Sequence, residues 1–147
     1  SRVQRDRVTG YIKDGAAAAP VIAMAAEAGD GAIGRLWLCH GDWEQAAAWR
    51  ALSDDVKLVD STRLRRIKEG PERRAASLAE VGVDAINMHA TDWTGGLTTL
   101  FHRFERLAFA WDAQFERVLR SLLEMGCDAV YSDHVDRMVD ALKQAEL

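Results

Sequence analysis

The chain has 147 residues, room for one domain on the usual scale of about 100–200 residues. Hydrophobic residues make up 48% and charged residues 29%, as in an ordinary globular protein, and two Pro and 11 Gly exclude a collagen-like or linker-like chain. A net charge of −4 supplies no global field for nucleic acid or an anionic membrane. The longest nearly uncharged stretch, Gly15 to Ala26, is far short of the ~20 strongly apolar residues of a bilayer span. Cys39 and Cys127 form no disulfide framework and no zinc spacing, and they read as small core hydrophobes of a cytoplasmic protein.

The elements can be taken in chain order. Residues 1–9 carry three Arg and no apolar run, so they are not a signal peptide and read as a disordered or non-native tail. A weak apolar run, Gly10 to Lys13, precedes an Ala-rich helix over Ala16 to Ala28, with Pro20 in its first turn and Gly29 as its stop. Arg35 to Cys39 is a strand by length and content. Asp42 caps a helix from Trp43 to Leu52, with Gln45 in the capping-box position. The next strand is Val56 to Val59, ending in Asp60-Ser61, where Asp60 reads as a turn or cap. Thr62 is expected to cap a short helix ending near Gly70. Pro71 opens a helix that reaches Val81 and stops at Gly82.

Val83 to Met88 follows as a strand, then a glycine loop, Thr94-Gly95-Gly96, and a helix from Leu97 to Phe104. Leu107 to Trp111 is the next strand. Phe115, Val118, Leu119 and Leu122 then mark one helix face up to Gly126. Cys127 to Tyr131 is the last strand, and Val135, Met138, Val139 and Leu142 stripe a closing helix. Glu80 to Ile86 echoes Glu124 to Val130, either by duplication or by convergence on one structural need. Short strands alternating with helices indicate a parallel α/β sheet. The length suits either a small doubly wound sheet or part of a (β/α)₈ barrel, since a whole barrel takes about 200–250 residues.

In parallel α/β proteins ligands meet the C-terminal ends of the strands. Those ends here carry Lys13-Asp14, His40, Asp60-Ser61, Asn87, His89, Asp92, Trp111-Asp112 and Ser132-Asp133-His134. Such a set could bind a divalent metal, hold a phosphate or run acid–base chemistry. His89 is the best single functional candidate. Asp42, Asp112 and Asp133 precede helices and are expected to be N-caps. His40 reads as a turn residue or a functional one, and His102 as a helix flank. Trp37, Trp43 and Trp49 read as packing, Trp93 and Trp111 as pocket walls. The chain holds no G-x-G-x-x-G, no P-loop and no G-x-S-x-G.

Gly82 to His89, then Phe109-Ala110-Trp111-Asp112, then Met125 to His134 resemble the C-terminal half of the glycerophosphodiester phosphodiesterase family. Gly126 to Asp133 matches that family's closing strand. Tyr11-Ile12-Lys13 looks like its mid-barrel strand, which normally reads acid-I-K. The resemblance spans residues 10–142 and implies residues 10–147 as a partial domain, the incomplete C-terminal part of a TIM (β/α)₈ barrel. It implies hydrolysis of a glycerophosphodiester to glycerol 3-phosphate and an alcohol, with a divalent metal (Ca²⁺ or Mg²⁺) and a His pair. By resemblance Lys13 is a phosphate contact and Trp111 a pocket wall, with His89 and Asp133 at rim positions.

The family's catalytic His residues and acidic ligands have no match here, and Tyr11 stands where the mid-barrel acid is expected. The catalytic residues are therefore expected to be absent, the isolated chain inactive, and the sequence a truncated reading of a longer gene. The alternatives are a non-catalytic half-barrel that binds a partner or self-associates through open sheet edges, and an unrelated α/β binding protein using a His89–Asp133 rim. No reading involves nucleic acid or a membrane span.

Overall fold

The computed structural model describes the backbone of residues 8–131 and the side chains of residues 12–131. Through them run parallel strands β1 (Val8–Tyr11), β2 (Leu36–His40), β3 (Lys57–Thr62), β4 (Ala85–His89), β5 (Leu107–Trp111) and β6 (Ala129–Val130). The helices between them are α1 (Ala18–Ala28), α2 (Trp43–Ala48), α3 (Pro71–Val81), α4 (Gly95–Arg103) and α5 (Glu116–Met125). The closing stripe at Val135, together with Ser132, Asp133 and His134, lies outside the described residues.

The strand order is β1-β2-β3-β4-β5-β6, each strand hydrogen-bonded to its neighbour in sequence. This decides between the two architectures that the length allowed. A doubly wound sheet reverses its strand order at a switch point, and this one never does. Right-handed crossovers that all step the same way carry every helix to one face, as in a barrel wall.

Alternation along the strands then makes two cores. Leu36, Leu38, Leu58, Ile86, Met88 and Ala110 pack with helical residues such as Ile22, Trp49, Leu78, Phe101 and Leu122. Trp37, Cys39, Val59, Ala85, Phe109, Ala129 and Tyr131 form a second cluster on the other face. Phe109 centres it, with its ring centroid 5.4 Å from Trp37 and 6.3 Å from Tyr131.

The repeated Gly-x-Asp segments do the same work twice. Gly82 (φ 79) and Gly126 (φ 107) end α3 and α5 in a backbone region that side chains disfavour. Two residues on, Asp84 donates its N–H to the Leu58 carbonyl at 2.9 Å, and its carboxylate accepts the Leu58 N–H at 2.8 Å. Asp128 holds Ala108 in the same way, at 2.8 Å for both bonds. Each aspartate therefore clips its strand to the preceding one and sets the register. Arg50 pairs with Asp84 at 2.9 Å, and His102 with Asp128 at 2.7 Å. His102 is thus a helix-flank residue, as expected, with a partner that the local sequence does not show.

Several boundaries differ from expectation. β3 runs on through Asp60, Ser61 and Thr62, so Thr62 caps no helix, and only a 3₁₀ turn, Leu64–Arg66, follows. The segment from Trp43 is α-helical to Ala48 and 3₁₀ from Trp49 to Leu52. Asp42 does cap it, accepting from the Glu44 N–H at 3.0 Å. Gln45 lies against Gly15 instead of closing a capping box.

Candidate functional site

The site is built from the C-terminal ends of β3, β4 and β5. His89 ends β4 in register with Trp111 of β5, and the rings meet edge to face with centroids 4.8 Å apart. The Thr91 N–H donates to His89 Nδ1 at 3.1 Å. That occupied lone pair leaves the proton of the neutral ring on Nε2, which donates to Asp112 Oδ2 at 2.8 Å. The Thr91 hydroxyl lies 2.8 Å from the same Nδ1. His89 is therefore fixed in orientation and tautomer, with both nitrogens engaged.

Asp112 is not the N-cap that was expected. α5 begins at Glu116 and its cap position is Phe115. Asp112 instead takes a positive φ of 65°, a conformation that Asp tolerates better than most residues. This turns its carboxylate toward His89, while Gln114 donates to Oδ1 at 2.6 Å. The His89 and Gln114 hydrogen bonds hold its carboxyl below the usual carboxylate range.

Beside this pair, Arg63 reaches across from the end of β3 to Asp92 after β4, at 2.8 Å, and the Leu64 N–H donates to the same carboxylate at 3.1 Å. Burial alone would raise the Asp92 carboxyl, but these donors and the Arg63 charge keep it low. Asp92 is thus a brace between two rim loops. Arg63, Thr91 and Gln114 went unremarked in the sequence: Arg63 meets Asp92 29 residues away only through folding, and Thr91 and Gln114 serve His89 and Asp112 from two residues away in local turns that carry no motif.

The other candidates separate. Lys13 is exposed beyond β1, three strand spacings from β4, or about 14 Å across the sheet. It touches neither His89 nor Trp111 directly. Its carbonyl accepts from His40 Nε2 at 3.3 Å, and His40 Nδ1 accepts from the Asp42 N–H at 2.9 Å. His40 is accordingly a turn residue that ties two loops together. Trp93 is no pocket wall. It is 3% exposed in the helix-side core, and its Nε1–H donates to the Phe109 carbonyl at 2.9 Å.

Asp60 is neither turn nor cap. It is fully buried on the helix face of β3, bonded to Arg74 at 2.9 Å, and Arg74 also holds Glu69 at 2.9 Å and lies over the Trp43 ring. Burial pushes the Asp60 carboxyl up to about 6 against the pull of Arg74, whose charge is shared with Glu69. Cys39 and Cys127 are buried and unbridged, and burial pushes the Cys127 thiol up to about 12, far from nucleophilic use.

A divalent metal does not fit the described residues. No three His, Cys, Asp or Glu side chains converge among them. The rim carboxylates of Asp92 and Asp112 are committed to Arg63 and His89. Tyr11, where the family's acid is expected, ends β1 in register with Cys39.

The fold itself is shared with solved structures. A protein of Silicibacter pomeroyi DSS-3 named as a glycerophosphoryl diester phosphodiesterase matches with a TM-score of 0.63 at 19% identity, over 91% of this chain and 47% of its own. A phosphodiesterase from Oleispira antarctica, solved with the product sn-glycerol-3-phosphate, matches at 0.64 and 12% identity, over 94% and 55%. A glycerophosphodiester phosphodiesterase from Parabacteroides distasonis matches at 0.59 and 10% identity, over 93% and 56%. The chain therefore spans about half the length of the solved structures it matches. No protein-family model and no curated protein matches it. The likeness is one of fold: the open sheet corresponds to part of the barrel of those phosphodiesterases.

Proposed function

We propose that residues 10–147 form the C-terminal half of a glycerophosphodiester phosphodiesterase domain, acting in lipid metabolism on glycerophosphodiesters. In this reading the chain supplies a substrate-binding wall and not the reacting groups. One observation carries it. His89 and Trp111 stand in register at the C-terminal ends of adjacent parallel strands, where barrel enzymes bind their ligands. The fold likeness, including a neighbour that holds sn-glycerol-3-phosphate, supports the choice of ligand. Trp111 and His89 form a wall against the glycerol moiety of the ester, and the exposed Lys13 offers its charge to the phosphate from the β1 end of the rim.

All three described histidines are engaged elsewhere, with Asp42 and Lys13, with Thr91 and Asp112, and with Asp128. In this reading the reacting groups come from outside the chain, so the chain alone binds but does not hydrolyse. A cytoplasmic setting belongs to the reading, supported by two unbridged buried cysteines. No helix among the described residues is long and apolar enough to cross a membrane.

Calorimetry tests the reading. The purified chain should bind sn-glycerol 3-phosphate, and Trp111→Ala and His89→Ala should each weaken binding about tenfold, the worth of roughly one lost contact of 1.4 kcal/mol. Glycerophosphocholine supplied with Ca²⁺ or Mg²⁺ should release no glycerol 3-phosphate above the uncatalysed rate. Release would overturn the claim of inactivity, and absence of binding would overturn the wall.

A second reading is favoured by β1 and β6, each paired on one side only among the described residues. Such strands can recruit another chain, giving a non-catalytic partial barrel that self-associates or binds a partner. Sedimentation equilibrium separates the two: a concentration-independent monomer removes self-association.

A further inference from the structure

Beneath His89 and Trp111 lies a second polar tier. Residues two apart on a strand share a face, so Asn87 sits under His89 on β4, and Ser61 stands on the same face of β3 as Val59. Ser61 and Asn87 are in register, one step of about 7 Å below the mouth. The Asn87 Nδ2–H donates to Ser61 Oγ at 3.2 Å.

Asn87 is fully buried and Ser61 is 8% exposed, yet the Asn87 Oδ1 acceptor has no partner. Ser61, having accepted from the amide, still has a hydroxyl proton to donate. Folded proteins rarely bury an amide oxygen without a donor, because it surrenders its water and gains nothing in return. The other orphaned oxygen, Asp60 Oδ1, has a different origin. It lies on the helix face, in a carboxylate already held by Arg74.

An open acceptor beside an available donor is the complement of an alcohol, which both donates and accepts. A phosphate ester's anionic oxygens only accept, and an ammonium only donates. We propose that Ser61 and Asn87 form a hydroxyl-recognising subsite: a ligand hydroxyl donates to Asn87 Oδ1 and accepts from the Ser61 hydroxyl. The ligand class is a small polyhydroxy alcohol esterified to phosphate, a specification that rests on the phosphodiester reading above. Asn87 is closed to solvent, so entry requires side chains above it to move.

The test is a pair of calorimetric titrations of the whole chain with sn-glycerol 3-phosphate and with n-propyl phosphate, which keeps the phosphate and lacks the hydroxyls. The wild type should prefer the glycerol ester about tenfold. Asn87→Leu and Ser61→Ala should each abolish that preference while leaving propyl phosphate affinity unchanged. Circular dichroism and melting check both folds, and if Asn87→Leu does not fold, the smaller Ser61→Ala change decides. Equal affinities in the wild type, or a preference that survives in either folded variant, would overturn the subsite and leave the phosphodiester reading standing. If the wild type binds neither ester, that reading fails and the subsite fails with it.

Discussion

Asp60 and Arg74 are a charge pair enclosed between β3 and α3, with Arg74 holding Glu69 as well. Removing the cation strands a buried carboxylate, so Arg74→Leu should cost about 3 kcal/mol or more in urea unfolding at pH 7. The pH dependence has a definite sign. The Asp60 carboxyl is raised from 3.8 to about 6 in the folded chain by burial, so the native state binds the proton more tightly. The stability this confers is complete below about pH 4 and is lost as pH rises through about 6. Relative to Asp60→Asn, the wild type should lose on the order of 2 kcal/mol between pH 4 and pH 7. A difference between the two that is flat with pH would refute the raised value. Nearer the rim, the positive φ of Asp112 is the local distortion that lets a residue on the β5–α5 connection hold a histidine on β4.

Among the elements, the Gly-x-Asp segment is the recurring device. Its glycine stops a helix, and its aspartate clips the strand that follows to the one before. Asp84→Ala would leave the part-buried Arg50 guanidinium without its carboxylate and the Leu58 N–H without its side-chain acceptor. We expect a loss of about 2 kcal/mol. Asp128→Ala should cost less, since His102 is exposed whereas Arg50 is also built into the Gly82, Ser53 and Val56 carbonyls. Gly126→Ala should cost about 1–2 kcal/mol, because φ is 107° and the added methyl would meet Thr98 Oγ1 at 3.3 Å. Equal stability of Gly126→Ala and wild type in chemical denaturation would show that the strand start tolerates a different turn.

At the scale of the whole molecule, the helices on one face leave the second cluster to close the other. Phe109 is its hinge-pin, 1% exposed between Trp37 and Tyr131. Phe109→Ala should therefore destabilise by about 3–5 kcal/mol, as for a packed core aromatic. A cost under about 1 kcal/mol would mean that this face is loose in solution. The same face presents His89, Trp111, Asn87 and Ser61 at the ends of the strands, so the packing of the second core and the geometry of the candidate site stand or fall together.

Much was legible from the residues alone, wherever the cause is local. Pro71 and Gly82 bound α3 at both ends, Leu107 to Trp111 is β5 as read, and Asp42 caps its helix, because capping, helix stops and strand periodicity act within a few residues. The motifs of the closing strands also pointed to the barrel fold of the phosphodiesterases. The site was legible only as a list of polar strand ends. Asp60 with Arg74, Arg63 with Asp92 and His89 with Asp112 pair across 14, 29 and 23 residues. Strand order and register bring the last two pairs together, and the seating of α3 against β3 brings the first. Alternation decides the rest: one residue's shift along β3 sends Asp60 to the helix face and Ser61 to the other. A buried structural ion pair and a candidate ligand contact are thus neighbours in the chain, separated by the thickness of a sheet.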